Sequence, residues 1–254
     1  MDNGLEGKCV VVTGGGSGLG AALCHALAGA GAAVVAADVR EDAADRIATS
    51  VRGAGGQCVA MRLDVGDAAA GAAALEQVVA QFGRLDVLIN NAGTDVTLPV
   101  EELQVSDWHR VLATNLTGPF LMSRAALPHL LARRGAIVNI ASALALVGWP
   151  SECAYGPSKA GVVQLTKGMA LDYAGRIRVN CVCPGAVRTP MIESVLPPGT
   201  DVEAMMAEYG KIHPLHRRLA DPREIADAVL FLASDDASLM TGAVLTVDAG
   251  LTAG

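Results

Sequence analysis

The sequence predicts an α/β fold: a mainly parallel sheet with helices on both faces. Three observations carry this. Short runs rich in Val and Ile recur without polar alternation, as strands buried on both faces require. Longer Ala- and Leu-rich segments with helical spacing separate them, in a strand–helix–strand rhythm. Finally, 52% of the 254 residues are hydrophobic and only 18% are charged, a balance and length that suit one large α/β domain.

The expected strands are "CVVVT" (9–13), "AAVVAAD" (32–38), "QCVAMRL" (57–63), "LDVLIN" (85–90), "AIVNIAS" (136–142), "IRVNCVCP" (177–184) and "AVLTVDA" (243–249). Helical spacing fills 18–30, 41–53, 67–82, 101–113, 117–133, 153–174 and 222–233 between them. Ser106-Asp107 marks either an opening or a break near Trp108. Pro157 belongs in the first turn of its helix, because an interior proline loses a hydrogen bond and clashes with the preceding turn. That helix is therefore expected to begin near Cys153 or Ala154. Asp221-Pro222-Arg223-Glu224 gives the last long helix an N-cap acid, a first-turn proline and a reciprocal Glu. The least regular stretch is 185–215, with Pro190, Pro197, Pro198 and Pro214. A long loop in a compact domain reads as a lid or binding loop.

Composition narrows the function. The net charge of -7 and the lack of a basic run argue against a nucleic-acid partner. No apolar stretch approaches a membrane span. The six cysteines form no CxxC pair, and "MDNGLEGK" leads directly into a strand without an apolar leader. The expectation is a reducing cytoplasm without disulfides. His25, His109, His129, His213 and His216 form no helix-borne metal pair, and no metal is expected. His213 and His216 read as solvated loop residues. There is no Gly-x-Ser-x-Gly elbow and no Gly-Lys-Ser/Thr phosphate loop.

The glycine-rich turn "TGGGSGLG" follows the first strand and opens the first helix. Gly14, Gly18 and Gly20 allow a tight turn and close approach to a pyrophosphate, while the helix end offers unbonded N–H groups. The spacing departs from Gly-x-Gly-x2-Gly, so the turn alone is weak evidence. Asp38 ends the second strand, where a carboxylate accepts from adenosine ribose hydroxyls and repels a 2′-phosphate. This favours NAD over NADP, although Arg40 sits two residues on. Asp64-Val65 stands in a comparable place after the third strand and fits a plain turn equally well. "NNAG" (90–93) closes the fourth strand at the edge where ligands bind, and alone it could be only a turn cap.

Ser142 closes the fifth strand, and Tyr155 and Lys159 share a helix face one turn apart. Taken alone, Tyr-x3-Lys is also the pattern of a solvated surface pair. Beside a strand-end Ser, a glycine-rich turn and a strand-end acid, it reads as a reactive pair. The expectation is that the Lys159 ammonium lowers the Tyr155 pKa toward neutrality. Ser142 could hold a carbonyl or alcohol oxygen, and Asn115 could bend a helix and hold a water behind Lys159. Ala143, Leu144, Trp149, Cys153 and the 187–213 loop suggest an apolar pocket for an alicyclic or acyl chain. Met191, Met205 and Met206 could line it, or simply pack.

These motifs together resemble the short-chain dehydrogenases/reductases along nearly the whole chain. The matching pieces are "TGGGSGLG" (13–20), Asp38, "DV" (64–65), "NNAG" (90–93), Asn115, Ser142, "YGPSK" (155–159), "CPGAVRTPM" (183–191) and "TVDAG" (246–250). The resemblance implies a Rossmann-type, doubly wound sheet of about seven strands in a single domain spanning 1–254, usually as a homotetramer. It implies Asn115, Ser142, Tyr155 and Lys159 as the catalytic set. Cofactor contacts would come from Gly14, Gly16, Ser17, Gly18, Leu19, Gly20, Asp38, Asp64, Val65, Asn91, Ala92, Gly93, Tyr155, Lys159, Pro184, Gly185, Val187 and Thr189. Thr94, Ala143, Leu144, Trp149 and Met191 would border the substrate, and about 186–214 would form the mobile substrate loop. The implied function is hydride transfer between NAD(H) and a secondary alcohol or ketone. An NADPH-dependent 3-oxoacyl thioester reductase and a non-catalytic dinucleotide sensor are the alternatives.

Overall fold

A computed structural model describes residues 4–194, 196 and 199–253. Pro197 and Pro198, two prolines of the expected loop, lie outside the described residues, as do residues 1–3 and Gly254. Seven strands form one sheet: β1 (Cys9–Thr13), β2 (Ala33–Asp38), β3 (Gln57–Arg62), β4 (Val87–Asn90), β5 (Ala136–Ile140), β6 (Arg178–Pro184) and β7 (Val244–Val247). Their order is β3-β2-β1-β4-β5-β6-β7, and every pair is parallel. In register, Val12 of β1 lies beside Ala36 of β2 and Ile89 of β4. Because β1 sits between β2 and β4, the winding reverses there, and the strand ends open a crevice.

Helices cover both faces. α1 (Gly18–Gly29) and α2 (Glu41–Gly53) pack on one side with α9 (Pro222–Ala233). There Leu23, Leu27, Ile225 and Val229 meet Val10, Val12 and Val34. α3 (Ala68–Phe82) and α5 (Gly118–Arg133) cover the other face, where Leu75, Val78, Met122 and Leu130 meet Val11, Val35 and Leu88. Alternate strand residues thus feed two apolar cores, which is why the strands read as unbroken apolar runs. A buried polar chain crosses the sheet: the Asn90 amide donates to Ser123 (3.0 Å) and to Asn139 Oδ1 (2.8 Å), and Asn139 donates to Thr166 (2.9 Å). Asn90 therefore ties strands to helices rather than reaching a ligand.

Two boundaries differ from expectation, the α4–α5 join and the 185–215 stretch, while the start of α6 agrees with it. The segments 101–113 and 117–133 are not separate helices. α4 (Val105–Leu112) runs through a π-turn at Ala113–Thr117 directly into α5. Ser106-Asp107 lies inside the first turn of α4, whose cap is Gln104. α6 (Tyr155–Asp172) starts at Tyr155 with Ala154 as cap, so Pro157 is in its first turn, as its geometry demands. The irregular 185–215 stretch contains α7 (Pro190–Ser194) and α8 (Val202–Gly210), the latter capped by the Asp201 carboxylate accepting from Ala204 N. No helix among the described residues is long and apolar enough to cross a membrane. All six cysteines are thiols, and five are buried.

Candidate active site

The glycine-rich turn is shaped by what cannot fit there. A Cβ on Gly20 would sit 2.0 Å from the Gly14 carbonyl oxygen, so α1 can approach the turn only with glycine at this position. Gly14 itself has φ +64, where side chains are strained. The Asn91 amide donates to the carbonyls of Thr13 (2.9 Å) and Gly14 (3.2 Å), and fixes the turn from β4. α3, α8 and α9 are capped by Asp67, Asp201 and Asp221, whereas α1, like α2, α4 and α6, has no side-chain cap at its N-terminus. Its N–H groups face a cavity of about 660 Å³, an arrangement that fits a diphosphate.

Asp38 is buried at the end of β2. One carboxylate oxygen accepts from Gly16 N (3.0 Å), the other from Arg40 N (3.0 Å). Gly16 does not line the cavity; its N–H positions Asp38 instead. The Arg40 guanidinium turns back and donates to Ser17 Oγ (3.2 Å). Asp64 lines the cavity while its Oδ1 accepts from Gly66 N (2.8 Å), a local side-chain turn. Val65 packs against Gly118, where a Cβ would come within 2.7 Å of it.

The other end of the cavity holds the reactive groups. Ser142 Oγ accepts from Leu144 N (3.1 Å), and its hydroxyl stands close enough to the Tyr155 phenol to pull that group's pKa down. Lys159 is buried; its ammonium donates to the Ile140 carbonyl (2.9 Å) and lies 5.5 Å from the centre of the Tyr155 ring. Burial pushes the Lys159 pKa down to about 8. The expectation that Tyr155 would be lowered is corrected. Its pKa is raised, first by burial and then by the Asp95 carboxylate, with Glu152 adding to both; the Ser142 hydroxyl opposes them. A cation one turn away does not outweigh two acids and a desolvated phenol.

Asn115 lies in the π-turn and is wholly buried. Its Oδ1 accepts from Thr94 N (2.8 Å), and its amide donates to Thr94 O (2.9 Å) and Ser158 Oγ (3.1 Å). The helix departs from α-geometry there through the π-turn, and the Asn115 side chain does not line the cavity.

Ser17, Gly18, Leu19, Ala92, Gly93, Pro184, Gly185, Val187 and Thr189 line the cavity, as do Thr94, Ala143, Leu144, Trp149 and Met191. The expectations for Cys153 and His213 fail, and the open choice for Met205 and Met206 falls against lining the cavity. Cys153 is exposed and borders a neighbouring groove, because it precedes α6 on the side away from the strand ends. Met205 and Met206 do not reach the cavity, and Met206 packs inside. His213 is not solvated: it is buried, and Nε2 accepts from Ala186 N (2.9 Å), which leaves the proton on Nδ1. It sits directly under Gly185, where a Cβ would fall 2.7 Å from its Nε2. Asp95, Thr97, Glu152, Tyr209, Ile212 and Leu251 also line the cavity and carried no sequence signal beyond nearness to motifs.

Comparison with known proteins adds to this geometry. A family model described as enoyl-(acyl carrier protein) reductase matches residues 14–252. The cis-4-hydroxycyclohexanecarboxylate dehydrogenase of Sinomonas cyclohexanicum is 45% identical over 100% of both chains. The D-threitol dehydrogenase of Mycolicibacterium smegmatis is 41% identical, over 99% of this chain and 95% of its own. The meso-2,3-butanediol dehydrogenase of Serratia marcescens is 39% identical, over 98% and 96%. The crystal structure of gox2181 superimposes with a TM-score of 0.93 at 33% identity, covering 100% of this chain and 98% of its own.

Proposed function

The chain belongs to the short-chain dehydrogenase/reductase family as a nicotinamide-dependent alcohol dehydrogenase/ketoreductase, and we propose that it interconverts a secondary alcohol and its ketone with NAD rather than NADP. The observation that carries the cofactor choice is the buried Asp38 carboxylate at the crevice, where a 2′-phosphate would meet a fixed negative charge. The uncapped end of α1 would hold the diphosphate. Gly93, Pro184, Gly185, Val187 and Thr189 would border the nicotinamide, and Lys159 its ribose.

When bound, the nicotinamide supplies the carbon that takes or gives the hydride. The residues of the chain handle the oxygen and its proton. Ser142 donates to the substrate oxygen and aligns it with the phenol. Tyr155 gives its proton to a carbonyl, or takes the proton of an alcohol. The raised phenol pKa keeps the acid form loaded. The Lys159 ammonium and the Ser142 hydroxyl favour the phenolate needed for the opposite direction. Asn115 supports this set from behind by fixing Thr94 and Ser158. We take residues 1–254 as one unit, with 186–214 as the substrate loop, working as a homotetramer in the cytoplasm; the family resemblance supports this. Alcohol oxidation is the direction that NAD use favours.

One observation supports a second reading. Arg40 beside Ser17 could meet a 2′-phosphate, as an NADPH-dependent 3-oxoacyl thioester reductase would require. The FabG reductase of Thermotoga maritima is 36% identical over 97% of this chain. Steady-state kcat/KM with both cofactors across steroid, alicyclic, aliphatic, sugar and 3-hydroxyacyl alcohols separates the two. Better turnover with NADP(H), or Asp38→Ala leaving the cofactor ratio unchanged, would refute the NAD reading.

A further inference from the structure

Two carboxyl groups stand in the cavity wall beside the reactive phenol, and the proton chemistry above leaves them unused. Asp95 follows β4, and Glu152 precedes α6. A short parallel bridge holds the two segments together, with Leu98 paired to Glu152 and Leu98 N donating to Ser151 O (3.0 Å). Ser151 takes φ +63 at this junction, so the backbone is held in the left-handed region just before Glu152. Thr97 Oγ1 donates to Glu152 Oε1 (3.2 Å), and Val96 N donates to Asp95 Oδ1 (2.6 Å). Glu152 Oε2 is buried and receives no donor. Each acid lies within hydrogen-bonding reach of the other, which becomes a hydrogen bond only if they share a proton. Lys159 and Arg110 are the cations whose charge reaches Asp95.

We infer that Asp95 and Glu152 act as a proton-sharing carboxyl pair that sets substrate specificity, accepting neutral alcohols with a second hydroxyl and turning away carboxylates. The inference rests on the alcohol dehydrogenase reading above. Two acids this close do not both ionise, so the pair keeps one proton and one negative charge near neutrality. Burial and the Asp95 charge push Glu152 up to about 8, in keeping with this. Oε2 itself is closed off and takes the shared proton, so the acceptor turned to the cavity is the Asp95 carboxylate, in a wall shared with Trp149, Leu144 and Met191. A substrate hydroxyl satisfies it. An apolar substrate leaves it unmet, and an anionic one adds a like charge in a desolvated site.

The experiment uses three ring alcohols of matched size: cyclohexanol, 1,4-cyclohexanediol and 4-hydroxycyclohexanecarboxylate. NAD-linked kcat/KM is measured near pH 7 for the native protein, Asp95→Asn, Glu152→Gln and the double variant. Binding is followed in parallel through tryptophan fluorescence (Trp149 and Trp108) with NADH in place of NAD, so that the alcohol binds without reacting. The native protein should prefer the diol to the acid by about tenfold or more, and each variant should cut that ratio about tenfold, chiefly through KM. The fluorescence Kd for the acid should tighten in the variants and that for the diol should weaken. Both isosteres keep the side-chain shape; if one fails to fold, the other decides. A native preference for the acid, or a ratio unchanged within about twofold in a folded variant, overturns the inference while leaving the dehydrogenase reading intact. Absence of NAD-linked turnover for every alcohol in the wider screen removes that reading, and the inference with it.

Discussion

Replacing Lys159 by Met tests the electrostatics on which the site depends. The buried ammonium has its pKa pulled from 10.5 down to about 8 by desolvation, although it donates to the Ile140 carbonyl at 2.9 Å. The folded state therefore holds the lysine proton less tightly than the unfolded chain. Below pH 8 both states are protonated, and folding carries the full penalty. Between pH 8 and 10.5 the folded amine loses its proton first, the unfolded chain binds more protons, and stability rises with pH. At 1.36 kcal/mol per unit the total is about 3 kcal/mol, of which about 2.5 falls between pH 7 and 10. Lys159→Met removes this titration. Urea unfolding of both proteins at pH 7, 8, 9 and 10 should show the native protein gaining about 2.5 kcal/mol relative to the variant. That is close to 1 M in midpoint for a slope of about 3 kcal/mol/M. Other titrating groups occur in both chains and largely cancel. A stability difference flat within about 0.5 kcal/mol over this range would refute the account of a penalised ammonium. The variant should also be inactive, which separates the residue's cost in stability from its use in the reaction.

Gly20→Ala should lose about 1–3 kcal/mol of stability and weaken NAD binding at least tenfold by calorimetry, because its Cβ meets the Gly14 carbonyl. Gly29→Ala, in the same helix with nothing within 4 Å, should do neither. Tyr155→Phe should lower kcat by about 10²–10⁴ while calorimetric NAD affinity stays within about threefold, since only the proton carrier is removed. His213→Ala leaves the partly buried Ala186 N–H without its protein acceptor and should cost about 1–2 kcal/mol in chemical denaturation. It should also raise the KM for NAD, because Ala186 belongs to the loop after β6 that would border the nicotinamide.

The unbroken Val- and Ile-rich runs were enough to read all seven strands, because parallel strands buried on both faces leave no polar alternation to confuse them. α2 and α9 were legible to the residue, α2 from its helical spacing and α9 also from its capping signal. The join of α4 to α5 was not, because a π-turn depends on where Asn115 finds partners, and Thr94 and Ser158 are distant in sequence. The hydrophilic look of 211–218 likewise hid His213, whose burial follows from the loop folding back over β6.

The sequence by itself determined the sheet, the glycine-rich turn and the set of Ser142, Tyr155 and Lys159, since each depends on local spacing and residue chemistry. The tertiary structure decided which way the proton affinities of Tyr155 and Lys159 move. Lys159 beside Tyr155 reads as a device that lowers the phenol pKa, yet the phenol is raised. Burial depends on the whole packing, and Asp95 and Glu152 arrive from β4 and from the turn before α6 through a bridge that no local pattern announces. Desolvation and long-range charge come from neighbours in space, and those neighbours exist only once the chain has folded.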